Sequence, residues 1–466
     1  MLPDEVDRHP LRTLAEWLTL QESVHPKTID MGLTRVTAVA RVLGVDKPRY
    51  PVITVGGTNG KGSTVVHLDT LLRTAGVSTG MFTSPHFIRY NERIQVGGIE
   101  VTDEELVAAF ERIEQARGSI TLTFFEFNVL AALVIFADRA IDIAILEVGL
   151  GGRLDAANLV DPDVAIVCSI GLDHRDYLGD TLELIGAEKA GIFRPGRPAV
   201  LGTDDMPASV FSAITSLQAR PVVAGKDFTW RVEEAAEASA PAGGARWSYN
   251  GLRLSLRNLP PSALAGSIQY RNAATALAAL EALELMLPSI AATPGRQVSA
   301  ALRGPLALSE HTVTVALRNV SLPGRFQTVQ VASVEWILDI AHNEPAAAIF
   351  AGHVRERPAA GRTYAVAGIL GDKDAGAIAR LVGPVVDHWI LCAIPGPRGT
   401  SAEDLAKTMS LPDSRTTLAA SVEAGCEVAR ATAKPGDRVL VFGSFHTVGP
   451  ALQWLGPAAG KLYSGS

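Results

Sequence analysis

The sequence predicts an α/β protein with a doubly wound, phosphate-loop N-terminal domain and a smaller Rossmann-like α/β C-terminal domain. Apolar, β-branched runs alternate with helical stretches along most of the chain, a pattern typical of a parallel sheet covered by helices. One such run, residues 51–55, leads into a glycine-rich turn and then into apolar residues at helical spacing. The pattern breaks near residues 322–325 and then resumes, which predicts domains over residues 1–321 and 322–466.

The individual elements follow from periodicity and capping residues. Thr102 and Glu105 have the spacing of a capping box, and Asp180 has the character of an N-cap, so helices are expected directly after Thr102 and Asp180. Residues 226–262 predict short antiparallel strands at a domain edge. Further helices are predicted over residues 11–20, 127–137 and 272–287, and a second helix is predicted to end at about residue 42. Strands are predicted over residues 141–148, 164–170, 335–340, 363–368, 389–392 and 438–442.

Composition argues against several classes of protein. The 466 residues are 47% hydrophobic, and the net charge of −7 is spread along the chain, so nucleic acid is not an expected partner. Cys168, Cys392 and Cys426 lie far apart, which argues against a zinc site and a disulfide framework. The longest apolar run, residues 129–137, is too short for a membrane span, and the acidic start is unlike a signal peptide. We therefore expect a soluble cytoplasmic protein.

The stretch Gly-Gly-Thr-Asn-Gly-Lys-Gly-Ser-Thr at residues 56–64 predicts a phosphate site. A strand, a glycine-rich turn and a helix aim backbone N–H groups and the positive end of the helix at phosphate. Lys61 adds a charge for the β- and γ-phosphates, and the hydroxyl of Ser63 or Thr64 can reach Mg²⁺. Gly62 departs from the common spelling of this loop. The alternative is a tight structural turn, but the lysine, the hydroxyl and the flanking elements together favour nucleotide binding.

Polar residues at the ends of other predicted strands are candidates for metal or ligand binding. Glu147 ends an apolar strand, where a carboxylate is costly to bury unless it is paired or metal-bound, and beside phosphate it is a candidate for Mg²⁺. His174 also follows a strand end, although a lone histidine is more often structural. Lys189, Arg153 and Asp155 also have interpretations without a functional role. Lys189 would be a solvated surface charge, and Arg153 and Asp155 would simply pair with each other.

Three further stretches have both a functional and a structural interpretation. Residues 124–126, Phe-Phe-Glu, combine two rings typical of a core with a carboxylate that is harder to bury without a purpose. Residues 339–343, Asp-Ile-Ala-His-Asn, end an apolar strand and resemble a site, with an N-cap role for Asn343 as the alternative. Arg325 is either a linker cation or a residue that swings onto phosphate when the domains close.

A series of motifs, in this order along the chain, resembles the folylpolyglutamate synthase family. Ile340 is one departure from the family pattern, because many members carry glycine after the aspartate that is Asp339 here. The resemblance covers nearly the whole chain, and several of the motifs are individually specific. The motifs are Gly-Thr-Asn-Gly-Lys-Gly-Ser at 57–63, Thr-Ser-Pro-His at 83–86, Phe-Glu-Phe at 125–127, Glu-Val-Gly-Leu-Gly-Gly-Arg-Leu-Asp at 147–155, Leu-Asp-His at 172–174, Glu-Lys-Ala-Gly at 188–191, Leu-Pro-Gly-Arg-Phe-Gln at 322–327, Asp-Ile-Ala-His-Asn at 339–343 and Gly-Ser-Phe-His-Thr-Val-Gly at 443–449.

The family belongs to the Mur-ligase-like ATP-dependent amide ligases, and the resemblance implies their chemistry. ATP would phosphorylate a carboxylate of dihydropteroate or of a reduced folate, and the amino group of L-glutamate would then displace the phosphate. The resemblance also assigns residues by position. It implies ATP contacts from Thr58, Asn59, Gly60, Lys61, Gly62, Ser63, Asn272, Arg325, Asp339 and His342. It implies two Mg²⁺ ions at Ser84, Glu147, His174 and Lys189, the last as a carbamylated lysine.

By the same resemblance, the catalytic residues are Lys61, His174 and Lys189. The implied pterin-side pocket consists of Thr28, Ile29, Asp30, Met31, Thr123, Phe124, Phe125, Glu126, Leu154, Asp155 and Ala156. The protein is expected to act as a monomer.

Two other functions are alternatives to this ligase. A peptidoglycan Mur ligase shares the chemistry but carries a UDP-binding domain ahead of its phosphate loop, and only 55 residues precede Gly56 here, against about 100 for a typical domain. A phosphate-loop switch protein would hydrolyse nucleotide without any need for glutamate.

Overall fold

The structure is a computed structural model that describes residues 12–27, 29–233 and 245–456. Leu11, at the start of the first predicted helix, and Thr28, in the predicted pterin-side pocket, lie outside the described residues. The helices are α1 Leu14–Val24, α2 Thr34–Leu43, α3 Lys61–Thr74, α4 Asp103–Arg117, α5 Phe124–Asp138, α6 Arg175–Leu178, α7 Leu182–Ala190, α8 Ala208–Leu217, α9 Ile268–Ala291, α10 Glu310–Asn319, α11 Glu344–Glu356, α12 Ala375–Val382, α13 Ala402–Met409, α14 Val422–Thr432 and α15 Phe445–Leu455.

The strands form three sheets. In chain order they are β1 Val52–Gly56, β2 Thr79–Phe82, β3 Ile94–Val96, β4 Ile99–Glu100, β5 Ile143–Glu147, β6 Val164–Val167, β7 Pro198–Leu201, β8 Arg220–Val223, β9 Thr229–Glu233, β10 Arg246–Asn250, β11 Ser255–Leu259, β12 Gln327–Val331, β13 Val334–Asp339, β14 Thr363–Ala367, β15 His388–Cys392, β16 Thr416–Ala419 and β17 Arg438–Phe442.

The first sheet has eight strands in the order β4-β3-β2-β5-β1-β6-β7-β8. Its six strands from β2 to β8 are parallel, and β3 and β4 add an antiparallel edge. Helices α3, α9 and α10 cover one face, and α1, α2, α4, α5, α7 and α8 cover the other. Because both faces are covered, β1 is buried along its whole length, which explains its unbroken apolar run. The predicted doubly wound sheet is confirmed.

The second large sheet has six strands in the order β12-β13-β17-β14-β15-β16. β12 pairs antiparallel with β13, and the remaining pairs are parallel. Helices α14 and α15 lie on one face, and α11, α12 and α13 lie on the other. The prediction of a second, smaller α/β unit after the break near residue 322 is confirmed.

Four predicted helix starts were wrong. The helix predicted from residue 11 begins at Leu14, because Thr13 caps it through a capping box with Glu16. The helix predicted from residue 127 begins at Phe124, because the side chain of Thr123 accepts from the Glu126 N–H and the Glu126 carboxylate accepts from the Thr123 N–H, a capping box. α7 is capped by Thr181 rather than Asp180. α9 begins at Ile268, four residues before the predicted start, without a capping side chain.

Helix α9 is long and apolar enough to cross a membrane by length and composition alone. In the structure it packs against the first large sheet beside α3, and 78% of its most apolar 18-residue window is buried inside the fold. Among the described residues no other helix passes the same test. α9 is therefore part of the protein core.

The predicted antiparallel strands form the three-stranded sheet β11-β10-β9, which is joined to α9 by a buried carboxylate. Glu281 of α9 accepts hydrogen bonds from the Tyr249 hydroxyl (2.5 Å) and from the backbone N–H groups of Leu252, Arg253 and Leu254 (3.2, 2.6 and 2.6 Å). The residue is fully buried. A single side chain thus satisfies the β10–β11 turn and fixes this sheet to the core.

We expect Glu281→Ala to lower the free energy of unfolding by about 3 kcal/mol, because it leaves buried backbone N–H groups without an acceptor. Urea denaturation followed by circular dichroism measures the change. Glu310→Ala is the control, since that carboxylate is exposed and, among the residues that the structure describes, accepts only the N–H of Arg257. A loss below about 1 kcal/mol is expected for it. Equal losses in the two variants would contradict this role of Glu281.

Candidate active site

A cavity of about 530 Å³ lies at the carboxyl ends of the strands and is lined by residues of both large sheets. Every residue that the resemblance assigned to the site and that lies within the described ranges lines it. These are Ile29, Asp30, Met31, Thr58, Asn59, Gly60, Lys61, Gly62, Ser63, Ser84, Thr123, Phe124, Phe125, Glu126, Glu147, Leu154, Asp155, Ala156, His174, Lys189, Asn272, Arg325, Asp339 and His342.

The glycine-rich turn joins β1 to α3 and is fixed by the end of β6. Gly60 stands at the N-cap of α3 with φ of 90°, a conformation that favours glycine. Lys61 Nζ donates to the carbonyls of Gly57 (3.1 Å) and Thr58 (3.3 Å). The Thr58 hydroxyl donates to the Gly171 carbonyl (3.1 Å) and accepts from the Gly171 N–H (3.0 Å). The turn is thus held open at the N-terminus of a helix, as phosphate binding requires.

Two glycines of the turn allow close approach by other parts of the chain. At Gly57, where φ is 138°, a Cβ atom would lie 3.0 Å from the backbone nitrogen of Cys168. At Gly62 a Cβ atom would lie 3.7 Å from Nη2 of Arg325 and 3.9 Å from Oε1 of Glu147. Gly62, the unusual glycine after Lys61, therefore lies where Glu147 and Arg325 both approach the loop.

Glu147 at the end of β5 is buried, and its carboxylate accepts a hydrogen bond from the Ser84 N–H (3.1 Å). Burial raises its pKa, although Lys61 and Arg325 act to lower it. In the same cavity, burial lowers the pKa of His174 to about 4, so the imidazole is neutral at neutral pH. A buried carboxylate and a neutral imidazole are both competent metal ligands.

Lys189 is a buried cation at the end of α7. Its Nζ donates to the Gly57 carbonyl (3.1 Å), the same oxygen that accepts from Lys61. Burial, and then the charge of Lys61, lower the pKa of Lys189 to about 7. The surface-charge alternative is therefore wrong for this lysine. The pairing alternative for Arg153 is wrong as well, since Arg153 forms an ion pair with Glu188 (3.0 Å).

On the predicted pterin side, acids and aromatic rings lie together. Asp30 forms an ion pair with Arg35 (2.7 Å), which also approaches Glu126 (3.4 Å). Phe125 lies so close to residue 149 that only glycine fits there, since a Cβ would be 2.6 Å from the ring. Asp155 is buried, which raises the pKa of its carboxyl to about 6.

The second domain contributes residues from the end of β13. The Asp339 carboxylate accepts from the N–H groups of Phe326 and Ala341 (both 2.8 Å), and burial raises its pKa. Asn343 caps α11 by accepting from the Ala346 N–H (3.0 Å), so its predicted N-cap role is confirmed. The same side chain also exchanges hydrogen bonds with Asn59 across the cleft (3.3 Å).

Asp173 is the centre of a polar network between the domains that the sequence did not predict. Its carboxylate contacts Nζ of Lys373 (2.7 Å), Nδ2 of Asn343 (3.0 Å) and Nε2 of His342 (3.5 Å). Burial acts to raise its pKa, but the hydrogen bond from His342 and the charge of Lys373 hold this pKa well below the usual range. The Leu-Asp-His motif pointed to this region, whereas the position of Lys373, in a stretch without a motif, had no sequence signal.

Comparisons with known proteins agree with this geometry. Models of the Mur ligase middle domain and of the Mur ligase glutamate ligase domain match residues 55–280 and 324–445. The dihydrofolate synthase/folylpolyglutamate synthase of Escherichia coli strain K12 is 41% identical over 440 residues, 94% of this chain and 95% of that protein. The chain belongs to the dihydrofolate synthase/folylpolyglutamate synthase family.

Solved structures of this dihydrofolate synthase/folylpolyglutamate synthase family share the fold. A structure of E. coli FolC in complex with DHPP and ADP is 40% identical, with a TM-score of 0.83 over 95% of this chain and 97% of that one. A bifunctional folylpolyglutamate synthase/dihydrofolate synthase with Mn, AMPPNP and L-glutamate bound is 38% identical, with a TM-score of 0.80 over 95% and 97%. The predicted fold and enzyme class are confirmed, and the chain is an ATP-dependent glutamate ligase rather than a nucleotide-hydrolysing switch.

We expect Asp173→Ala to lower the free energy of unfolding by about 2 kcal/mol, because Lys373 is then left with only its longer contact to Asp372 (3.7 Å). Urea denaturation measures the loss, with Asp176→Ala on the exposed side of the same segment as the control. Adding Lys373→Met to Asp173→Ala removes the unpaired charge, so the double variant is expected to lose less than the sum of the single variants. Additive losses would contradict the link between the domains.

Proposed function

We propose that this chain adds L-glutamate both to 7,8-dihydropteroate and to the γ-carboxylate of reduced folates, with ATP as the phosphate donor. The proposal rests on one observation. The phosphate loop, the pocket lined by Phe124 and Phe125, and the second-domain residues Arg325 and Asp339 all line the same cavity. Relatives in the same family have been solved with DHPP and ADP and with AMPPNP and L-glutamate, which supports the same set of ligands here.

The reaction would proceed in two balanced steps. A carboxylate oxygen of the acceptor attacks the γ-phosphorus of ATP, the bond to the β-phosphate oxygen breaks, and ADP leaves an acyl phosphate. The amino group of L-glutamate then attacks the acyl carbon, the C–O bond to phosphate breaks, and phosphate and one proton are released. The backbone of the turn at Thr58, Asn59 and Gly60 and the Lys61 ammonium would hold the phosphates, since the main barrier is the meeting of two anions.

The other proposed ATP contacts are Gly62 and Ser63 of the loop, Asn272 of α9, and Arg325, Asp339 and His342 of the second domain. A Cβ at residue 60 would lie 3.0 Å from Oδ1 of Asn272, so α9 approaches the loop directly. We propose that the first domain spans residues 1–321 and the second spans 322–466, since the second large sheet begins with β12 at Gln327. The cavity needs no residue from a second copy to join its two halves, so we propose a monomer, and we propose that it acts in the cytoplasm.

The residues also suit divalent cations. Mg²⁺ is bound by few protein carboxylates, with substrate phosphates and water completing its shell. No group of three His, Cys, Asp or Glu side chains within the described ranges could hold a metal by itself, which fits a cation that shares the phosphates. We propose Ser84, Glu147 and His174 as the protein ligands. When bound, the cations would neutralise charge on the transferred phosphate.

The proposed acceptor pocket is formed by cavity-lining residues outside the phosphate loop. Its members are Ile29, Asp30, Met31, Thr123, Phe124, Phe125, Glu126, Leu154, Asp155 and Ala156, together with Thr28 outside the described residues. Phe82 and Phe125 pack together (5.8 Å between ring centroids), which fixes the Phe125 ring as a flat apolar wall for a pteridine. Asp30 and Glu126 supply acceptors for ring N–H groups.

Lys189 is proposed to be carbamylated. The neutral amine adds to CO₂, a C–N bond forms, and one proton is released to give an anionic carbamate. The buried amine has its pKa lowered to about 7 by burial and by Lys61, so part of it is neutral near neutral pH. The carbamate would replace repulsion from Lys61 with attraction and would supply an oxygen ligand for a second cation.

The ligase is tested with ATP, Mg²⁺ and labelled L-glutamate, with dihydropteroate or tetrahydrofolate as separate acceptors. We expect product with each acceptor and phosphate release that depends on both glutamate and acceptor. Lys61→Ala is expected to reduce product formation about 10²–10³-fold, because a cation at the transferred phosphate is lost, whereas exposed Lys226→Ala retains full turnover. Equal phosphate release without glutamate and acceptor would overturn the ligase, and near-normal turnover of Lys61→Ala would overturn the phosphate-loop role.

The carbamate is tested by ¹³C NMR of the protein equilibrated with ¹³C-labelled bicarbonate. We expect a carbamate resonance that is present in the wild-type protein and in Lys226→Arg and absent in Lys189→Arg, because burial and Lys61 hold the Lys189 amine partly neutral. Lys189→Ala is expected to regain part of its activity with small carboxylates that imitate the carbamate. A carbamate spectrum that is unchanged in Lys189→Arg, or full activity of Lys189→Ala without rescue, would contradict the modification.

A further inference from the structure

Arg93 is a buried cation that the proposed reaction has not yet used. It ends the short 3₁₀ turn Tyr90–Arg93 just before β3, it is only 7% exposed, and it lines the cavity. Its Nε donates to Nδ1 of His86 (2.7 Å). The charges of Glu92 and Glu147 act on it from a distance, but within residues 12–27, 29–233 and 245–456 no carboxylate lies within 4 Å of its guanidinium to form an ion pair. A buried guanidinium without a carboxylate in direct contact is costly unless an anion arrives.

Neighbouring groups hold this guanidinium in one orientation. Its Cζ lies 5.7 Å from the Tyr90 ring centroid and 5.5 Å from the Phe124 ring centroid, within the range of cation–π contacts. His86 occupies Nε, which leaves the two Nη groups for a ligand in the cavity. Two adjacent N–H-bearing nitrogens in one plane match the two oxygens of a carboxylate.

Arg93 interacts both with the proposed acceptor pocket and with the acid beside the phosphate loop. On one side it contacts Phe124 of the acceptor pocket. On the other side its charge acts on Glu147, which accepts from the Ser84 N–H and lies close to Gly62 of the phosphate loop. A carboxylate attached to a ring beside Phe124 would therefore approach phosphate next to this guanidinium.

We propose that Arg93 binds the acceptor carboxylate that becomes phosphorylated and holds it against the γ-phosphate. The inference rests on the proposed function, because it assumes a ring-bearing acid as acceptor. Arg93 would reduce the repulsion between this carboxylate, Glu147 and the triphosphate. Lysine would serve less well, since an ammonium carries the charge without the planar pair of donors.

The test compares two ligands on each protein in the presence of ADP and Mg²⁺. The ligands are dihydropteroate and its carboxamide, which has the same rings without the negative charge, and titration calorimetry gives each dissociation constant. We expect the wild-type protein to prefer the acid about 10–100-fold, Arg93→Gln to bind both ligands equally, and Arg93→Lys to show an intermediate preference. Arg89→Gln, in the same segment but on the exposed side, should keep the wild-type preference.

The comparison separates binding from folding, because each variant must still bind ADP and the carboxamide with wild-type affinity. An unchanged preference for the acid in Arg93→Gln would overturn the inference and leave the proposed function standing. Equal loss of acid and carboxamide binding would also overturn it, since the role would then be structural. Failure of the wild-type protein to bind either pteridine would overturn the proposed function and this inference with it.

Discussion

The carbonyl oxygen of Gly57 accepts hydrogen bonds from two lysines, Lys61 and Lys189, each at 3.1 Å. Two charged ammonium groups on one oxygen would repel each other, and burial strengthens the repulsion because little water screens it. Burial and the charge of Lys61 therefore lower the pKa of Lys189 to about 7, so this amine is partly neutral near neutral pH. The charge of Lys61 also acts on the buried carboxyls of Glu147 and Asp155, so the acids of the site depend on the same turn. A triphosphate, or an anionic group on Lys189, would remove the repulsion.

The second constraint is that the site is complete only when two domains meet. Asp173 belongs to the first domain, yet apart from the adjacent His174 N–H its close partners Lys373, Asn343 and His342 come from the second. Asn59 of the phosphate loop touches the same Asn343. Contacts that close the cleft and residues that face the nucleotide are thus neighbours, so substrate binding and domain closure share one set of side chains.

The local part of the site could be predicted from the sequence, because its residues are neighbours along the chain. The phosphate loop, Glu147 at a strand tip and the Asp339–Asn343 stretch each show a recognisable pattern of residue types. Arg93 and Lys373 could not be found that way, since their importance comes from contacts with distant residues. Their spacing alone resembles that of ordinary surface cations.

The fold shows the same division between local and distant signals. Buried parallel strands such as β1 and β17 were found from their apolar runs. The short edge strands β12 and β16, with sequences Gln-Thr-Val-Gln-Val and Thr-Thr-Leu-Ala, were missed because they have only five and four residues and lack an unbroken apolar run. The start of α9 was missed because Ser267 offers no side-chain cap. The capping box at Thr123 was present but was placed outside the helix.

Helix α9 connects two distant parts of the molecule. Its 24 residues span about 36 Å, with Asn272 near the phosphate loop at one end and Glu281 holding the small sheet two and a half turns further on. The segment between Asn272 and Glu281 is continuous, buried helix, and Pro288 lies beyond it, so a displacement at one end is passed to the other. Related enzymes that lengthen or rebuild the small sheet could therefore shift the nucleotide relative to its acceptor, and so retune turnover, without altering any residue that touches either molecule.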